Sequence, residues 1–168
     1  MSRTLENAPD RSTHTERHFL LDGKVALHQT MGGGHRVGLD AVFLAASVEP
    51  SRIKNRSGAL RLVDLGAGVG AAGLCVAARH PSLSATLVEN HLPTLDLARA
   101  SLADPANAAF ANRVRLLAAD VTLRGAARSA AGLASNMADW VIMSPPFWMP
   151  DTVRLSPNTD RQAAHILS

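Results

Sequence analysis

One run constrains this chain more than any other. Leu60-Arg61-Leu62-Val63, of strand composition, closes on Asp64-Leu65-Gly66-Ala67-Gly68-Val69-Gly70, and an alanine-rich apolar stretch follows at once. A strand that passes through a glycine turn straight into a helix commits the next strand to lie parallel to it, since an antiparallel return needs only a short hairpin. The pattern downstream keeps that alternation. Ala71 to Arg79 reads as a helix stopped by Pro81, Ala85-Thr86-Leu87-Val88-Glu89 as a strand, and Pro93 to Leu102 as a helix with its proline in the first turn. Val114-Arg115-Leu116-Leu117 is the third strand, Leu123 to Leu133 an alanine-rich helix, and Trp140-Val141-Ile142-Met143 the fourth strand. The fold expected is α/β, a doubly wound, mostly parallel sheet with right-handed crossovers and helices on both faces.

Three regions follow. Residues 1–17 carry few large apolar groups and read as a flexible tail. Residues 18–58 hold a small N-terminal hairpin about Asp22-Gly23, then, after Gly38, a helix with Leu39, Val42, Phe43 and Ala46 on one stripe. Residues 59–168 form the α/β core. With 168 residues and 46% of them hydrophobic, one domain can bury a real core. Lysine plus arginine number 17 against 14 acidic residues, a mild excess compatible with a nucleic-acid partner. The single cysteine, Cys75, excludes a disulfide within the chain, fits a reducing interior, and is expected in the core. No stretch resembles a signal peptide or the ~20 apolar residues of a membrane span, so a soluble, cytoplasmic protein without a membrane partner is expected. The seven histidines are scattered without ligand spacing, and no metal site is expected.

The glycine run supports two cofactors. Gly68-Val69-Gly70-Ala71-Ala72-Gly73 satisfies the dinucleotide pattern G-x-G-x-x-G, with Glu89 near the distance of a ribose contact, which would make the chain a nicotinamide-dependent oxidoreductase. Read from Asp64, the same run is D-x-G-x-G-x-G, and a pyrophosphate gains nothing from an anion there. S-adenosylmethionine carries an ammonium and a sulfonium, which a carboxylate attracts directly or through water. On this reading Gly66, Gly68 and Gly70 let backbone approach the cofactor, and Glu89 accepts from both ribose hydroxyls. Asp120 accepts from the adenine amino group, or the Val121 backbone supplies that contact. Plain alternatives stand beside these roles: Asp64 as a cap of the following turn, Glu89 as a solvated strand end, Asp120 as a helix cap.

Ser144-Pro145-Pro146-Phe147 follows the fourth strand at its carboxyl end, where open α/β sheets place reacting ligands. Two prolines fix φ and remove two donors, leaving a stiff turn rich in acceptors. A ring-conjugated amine is a poor nucleophile because its lone pair is delocalised. Accepting both of its N–H bonds, at the Ser144 hydroxyl and the Pro145 carbonyl, favours a pyramidal nitrogen and frees that lone pair toward a methyl group. Positioning and preorganised electrostatics then do most of the work. Phe147 offers a face for the target ring.

These residues resemble class I S-adenosylmethionine-dependent methyltransferases acting on amino nitrogen, whose signature is Asp, Asn or Ser, then Pro-Pro, then an aromatic. They are similar in particular to the bacterial tRNA (adenine-N6) methyltransferases. His35-Arg36-Val37-Gly38-Leu39-Asp40-Ala41-Val42-Phe43-Leu44-Ala45 resembles the segment that in this family precedes the core and closes over the cofactor. The resemblance implies a Rossmann-like fold with S-adenosylmethionine bound by Asp64, Gly66, Gly68, Gly70, Glu89 and Asp120, and a target amine held by Ser144 to Phe147. It implies tRNA as the partner; Arg36, Arg154 and Arg161 are candidate phosphate contacts, with a solvated arginine as the plain alternative for each. Two departures stand out. The commoner residue at position 144 is Asn, and Ser is shorter. The family's sheet runs 3-2-1-4-5-7-6, whereas the residues after Phe147 are too few for strands five to seven, so a core truncated after strand four, or completed by a partner, is expected. Guanine N2 of rRNA and protein glutamine are alternative substrates of the same corner, and an inactive cofactor-binding domain is the non-enzyme alternative.

Overall fold

The computed structural model describes residues 15–31, 37–52 and 58–145. It opens on an antiparallel hairpin of β1 (Thr15–Leu20) and β2 (Val25–Thr30), with Thr15 opposite Thr30 and Leu20 opposite Val25. Strand pairing therefore begins at Thr15, inside the stretch read from sequence as a tail. The turn holds Leu21 and Asp22 as well as Gly23 at positive φ, with Lys24 N–H bonded to Leu21 O at 3.3 Å. Helix α1 (Leu39–Ser47) then starts after Gly38.

The core is a four-stranded parallel sheet of β3 (Leu60–Leu65), β4 (Leu83–Glu89), β5 (Val114–Ala118) and β6 (Trp140–Met143), ordered β5-β4-β3-β6. This is the first part of the strand order that the resemblance implied. Helix α2 (Ala71–Arg79) links β3 to β4, and α3 (Leu92–Ala103) leads from β4 toward β5. A 3-10 turn at Pro105–Asn107 and a one-turn helix α4 (Ala108–Ala111), neither visible as a sequence pattern, complete that connection. The expected helix over 123–133 contracts to α5 (Gly125–Ala130). Gly125 and Gly132 both sit at positive φ, +53° and +86°, outside helical geometry, and they bound the helix.

Alternate residues of each strand face opposite layers. Leu62, Ala85, Leu87 and Ile142 pack with Val25 and Leu27 of the hairpin, Ala45 of α1 and the buried run Ala71 to Ala77 of α2. Val63 and Val88 face the other way, onto Ala119 and Leu133, with Leu65, Leu117 and Met137 around them. Cys75 is fully buried in the first layer, and burial pushes its thiol up to about 11, against a smaller opposing pull from Arg79.

Polar side chains fasten the hairpin to this core. Asn107, fully buried, accepts from Ala26 N at 2.9 Å and donates to Ala26 O at 2.8 Å and Ser101 O at 2.7 Å, so it pairs with β2 as another strand would. Ser101 Oγ accepts from His28 N at 2.9 Å. Asp104 takes a two-pronged bond from Arg17, 2.7 Å from Nε and 2.6 Å from Nη2, and a third from His28 Nε2 at 3.0 Å. Arg17, with His28 and the Ala106 N–H adding, holds the Asp104 carboxyl well below the usual carboxylate range. No helix among the described residues is long and apolar enough to cross a membrane.

Candidate functional site

Because all four core strands run parallel, their carboxyl ends share one edge of the sheet. Leu65 of β3 is registered with Val88 of β4 on one side and with Met143 of β6 on the other. Gly66 and Ser144 therefore leave adjacent strands, about 4.8 Å apart, at the same level. The glycine turn and Ser144-Pro145 thus leave the same edge of the sheet.

The glycine turn is a preformed cradle. Gly66 and Gly68 lie at φ +66° and +58°, and a Cβ built on either meets nothing within 4 Å. Backbone here faces open space, which suits a ligand lying flat against the chain. Ala67 N–H bonds to Val88 O and Gly70 N–H to Ala67 O, each at 2.9 Å, tying the turn to β4 and closing it. Gly70, at φ +91°, starts α2 without a capping side chain of its own.

Asp64 supplies the missing cap from the strand. Its position in β3 points it at α2, and its Oδ2 accepts from Gly73 N–H at 2.9 Å, in the first turn of that helix. The carboxylate is 2% exposed. Burial pushes Asp64 up to about 7, the Gly73 N–H pulls against that rise, and the nearby Glu89 charge adds to it. Of the two roles open in the sequence, the observed bond is the capping one, made to the helix behind the turn. Gly73 itself has a steric role that the sequence pattern alone did not assign. A Cβ there would stand 2.2 Å from Leu87 Cδ2 and 3.1 Å from Asp64 Oδ2, so any larger residue would force the buried Leu87 side chain to move. The signal was present as the third glycine of G-x-G-x-x-G.

Glu89 closes β4 beside the cradle. Its Oε2 accepts from Gly68 N–H at 2.9 Å and its Oε1 from His91 N–H at 2.8 Å. Each oxygen keeps a free lone pair, so the carboxylate is fixed in place and still able to accept two hydroxyls. Asp120 lies past β5 at the same edge. Its Oδ1 accepts from Thr122 N–H at 2.8 Å and from Thr122 Oγ1 at 2.7 Å, and these two bonds, the backbone one first, lower its carboxyl. That is bonding within a turn and not the helix cap given as its plain alternative, since the residue before α5 is Arg124, with no side-chain cap bond. Val121 is half-buried against the second layer of the core. Ser144 and Pro145 are exposed at the end of β6. Pro146 and Phe147 lie outside the described residues, as do Arg36, Arg154 and Arg161. Among the described residues no group of three or more His, Cys, Asp or Glu could hold a metal ion.

The open glycine cradle and an anchored carboxylate at the next strand end fit a nucleoside cofactor. Comparison with known proteins leads the same way. Residues 43–166 match the family model described as the methyltransferase small domain. No curated protein matches the sequence. Among solved structures, a predicted O-methyltransferase from Agrobacterium tumefaciens is 45% identical over 64% of this chain and 49% of its own, with a TM-score of 0.55. The T. thermophilus 16S rRNA guanine-N2 methyltransferase, solved with AdoMet and guanosine, is 22% identical over 97% of this chain and 42% of its own, with a TM-score of 0.58. TYW2 of P. horikoshii, in complex with MeSAdo, is 15% identical over 82% and 44%, at 0.55. The chain thus spans about half, or less, of the length of each of these structures, and the latter two show likeness of fold alone. It belongs to the methyltransferase small domain family and has the fold of the class I S-adenosylmethionine-dependent methyltransferases.

Proposed function

We propose that the protein is an S-adenosylmethionine-dependent N-methyltransferase acting on an exocyclic amine of an RNA base, with adenine N6 of tRNA as the preferred target. The observation that carries this reading is the register of β3 with β6, in which Leu65 pairs with Met143, so that Gly66 and Ser144 leave adjacent strands at one edge of the sheet. Gly66 and Gly68 would hold the cofactor against bare backbone, and Glu89, already oriented by Gly68 and His91, would accept its ribose hydroxyls. Asp120 and Val121 are assigned the adenine end. Asp64 ties α2 to β3 behind the glycine turn. The cofactor, when bound, supplies an electrophilic methyl on a good leaving group. The Ser144 hydroxyl and Pro145 carbonyl would accept both N–H bonds of the target amine and aim its lone pair, while Phe147, on sequence, gives the ring a surface to stack on. Proton loss follows transfer and calls for no strong base. RNA suits such a site because a loop base splays out without melting a duplex. A cytoplasmic location goes with that substrate.

A second reading, transfer to oxygen, is favoured by the description of the A. tumefaciens structure as a predicted O-methyltransferase. Guanine N2, the target named for the T. thermophilus enzyme, and protein glutamine would use the same corner as adenine. One experiment separates these: incubate separate tRNA, rRNA and protein pools with labelled S-adenosylmethionine, then digest and analyse by mass spectrometry. N6-methyladenosine in the tRNA pool is the expected result. Label only in guanosine, glutamine or an oxygen ester or ether overturns the adenine assignment. Heat of binding with NADH and none with S-adenosylhomocysteine would overturn the whole reading.

A further inference from the structure

The sheet face that bears Val63 and Val88 changes character along its strands. At the carboxyl ends it is apolar and covered by Ala119 and Leu133. Toward the amino ends it carries Ser84 and Thr86 on β4 and Arg115 on β5, where a strand buried on both faces would be apolar throughout. Thr86 and Arg115 are register partners, so their side chains rise from the same face, and Ser84, two residues earlier, joins them. Helix α5 has six residues, too few to roof both halves of the sheet.

A groove of about 310 Å³ lies here, lined by these three residues together with Asn112 and Arg113. None of its described lining residues is acidic. Arg113 spends its guanidinium on carbonyls at the end of α2 and beyond: Nη2 donates to Ala77 O at 2.8 Å, and Nη1 to His80 O at 3.0 Å and Leu83 O at 2.5 Å. Its guanidinium is therefore turned toward α2, and Arg115 supplies the charge on the groove's own face. The exposed guanidinium of Arg115 has no hydrogen-bond or ion-pair partner among the described residues. Ser84 Oγ makes one long bond, 3.3 Å, to Leu60 O. A positive charge, two hydroxyls and an amide thus line one groove with no carboxylate among its described lining residues.

We propose that this groove binds a phosphate group, with Arg115 as the two-pronged donor and Thr86 and Asn112 as secondary donors. It is separate from the cofactor cradle, because it lies at the amino ends of the strands, roughly 10–17 Å back along β4 from Glu89. The chemistry is shared by free phosphate and by the backbone phosphate of a nucleic acid. If the latter, the groove anchors the RNA at a distance from the base being modified.

Calorimetric titration of the 168-residue chain with inorganic phosphate and with a short single-stranded RNA, at fixed ionic strength, tests this. Arg115→Gln is expected to weaken binding at least tenfold and Thr86→Val severalfold. Arg99→Gln, an exposed arginine on α3, should change neither, and binding of S-adenosylhomocysteine should hold in all three variants. Loss confined to phosphate assigns the groove to the free anion; loss for RNA, with or without phosphate, assigns it to a nucleic-acid backbone. The proposal is overturned if Arg115→Gln binds both ligands as the parent does, or if Arg99→Gln weakens them equally. Failure to bind S-adenosylhomocysteine would count against the methyltransferase reading and leave this one standing.

Discussion

At the residue scale, two aspartates give stability opposite pH dependences. The Asp64 carboxyl is raised by burial, so the folded state holds its proton more tightly than the unfolded chain does. Its contribution is fully present below about pH 4 and is lost as pH rises through about 7. Asp104, depressed by Arg17 and His28, contributes above the unfolded value near pH 4 and loses that contribution on acidification. Urea midpoints are therefore expected to peak in mildly acidic solution. Asp64→Asn should flatten the decline between pH 5 and 8, since the amide stays neutral and its oxygen still accepts from Gly73 N–H. An equal decline in parent and variant would show that Asp64 does not titrate in this range. Glu89→Gln keeps the side-chain length and removes the charge. It should weaken S-adenosylhomocysteine binding about tenfold, or ~1.4 kcal/mol, and by relieving Asp64 of a neighbouring anion it should lower the Asp64 carboxyl, so that the decline in stability is smaller and is complete at a lower pH.

At the scale of elements, the fold depends on close approaches that tolerate no added atom. Gly73→Ala places a methyl against Leu87 and the Asp64 carboxylate, and is expected to cost about 1–3 kcal/mol and to weaken cofactor binding by pushing α2 off β4. Thermal melts and calorimetry on the one variant would show both effects. Hairpin docking depends instead on polar groups. Asn107→Ala leaves Ala26 N–H and two carbonyls without partners in a buried place, a loss on the order of 3 kcal/mol. A fall in Tm of roughly 10 °C, with faster amide exchange at Ala26, is the expected outcome. Exchange at Ala26 equal to that of the parent would mean that the apolar contacts of Val25 and Leu27 hold the hairpin alone.

On the scale of the whole molecule, β6 is the outermost described strand on its side of the sheet, and it turns Val141 and Met143, 54% and 49% exposed, outward. An apolar strand at a sheet edge invites pairing with another chain. Val141→Lys is expected to lower light scattering at high concentration while leaving Tm nearly unchanged. Scattering equal to the parent's would place self-association elsewhere.

The legible part of the sequence was whatever repeats along it. Strand-helix alternation set the parallel sheet, and β6 and α2 begin and end where their apolar runs do, because hydrophobic periodicity is a local consequence of which face is buried. Glycines at 66, 68 and 70 marked a turn that needs left-handed backbone, and Glu89 and Ser144 were placed because ligands gather at the carboxyl ends of parallel strands. What distance in sequence concealed was partnership. That Asp64 bonds Gly73 behind the glycine turn, that Asn107 acts as a strand for Ala26, that Arg17 lies within a paired strand and reaches Asp104, and that Thr86 and Arg115 share one groove are all outcomes of packing. Composition and spacing record a side chain's chemistry; only the folded chain decides which buried donor meets which acceptor, because that depends on elements far apart in sequence coming within about 3 Å.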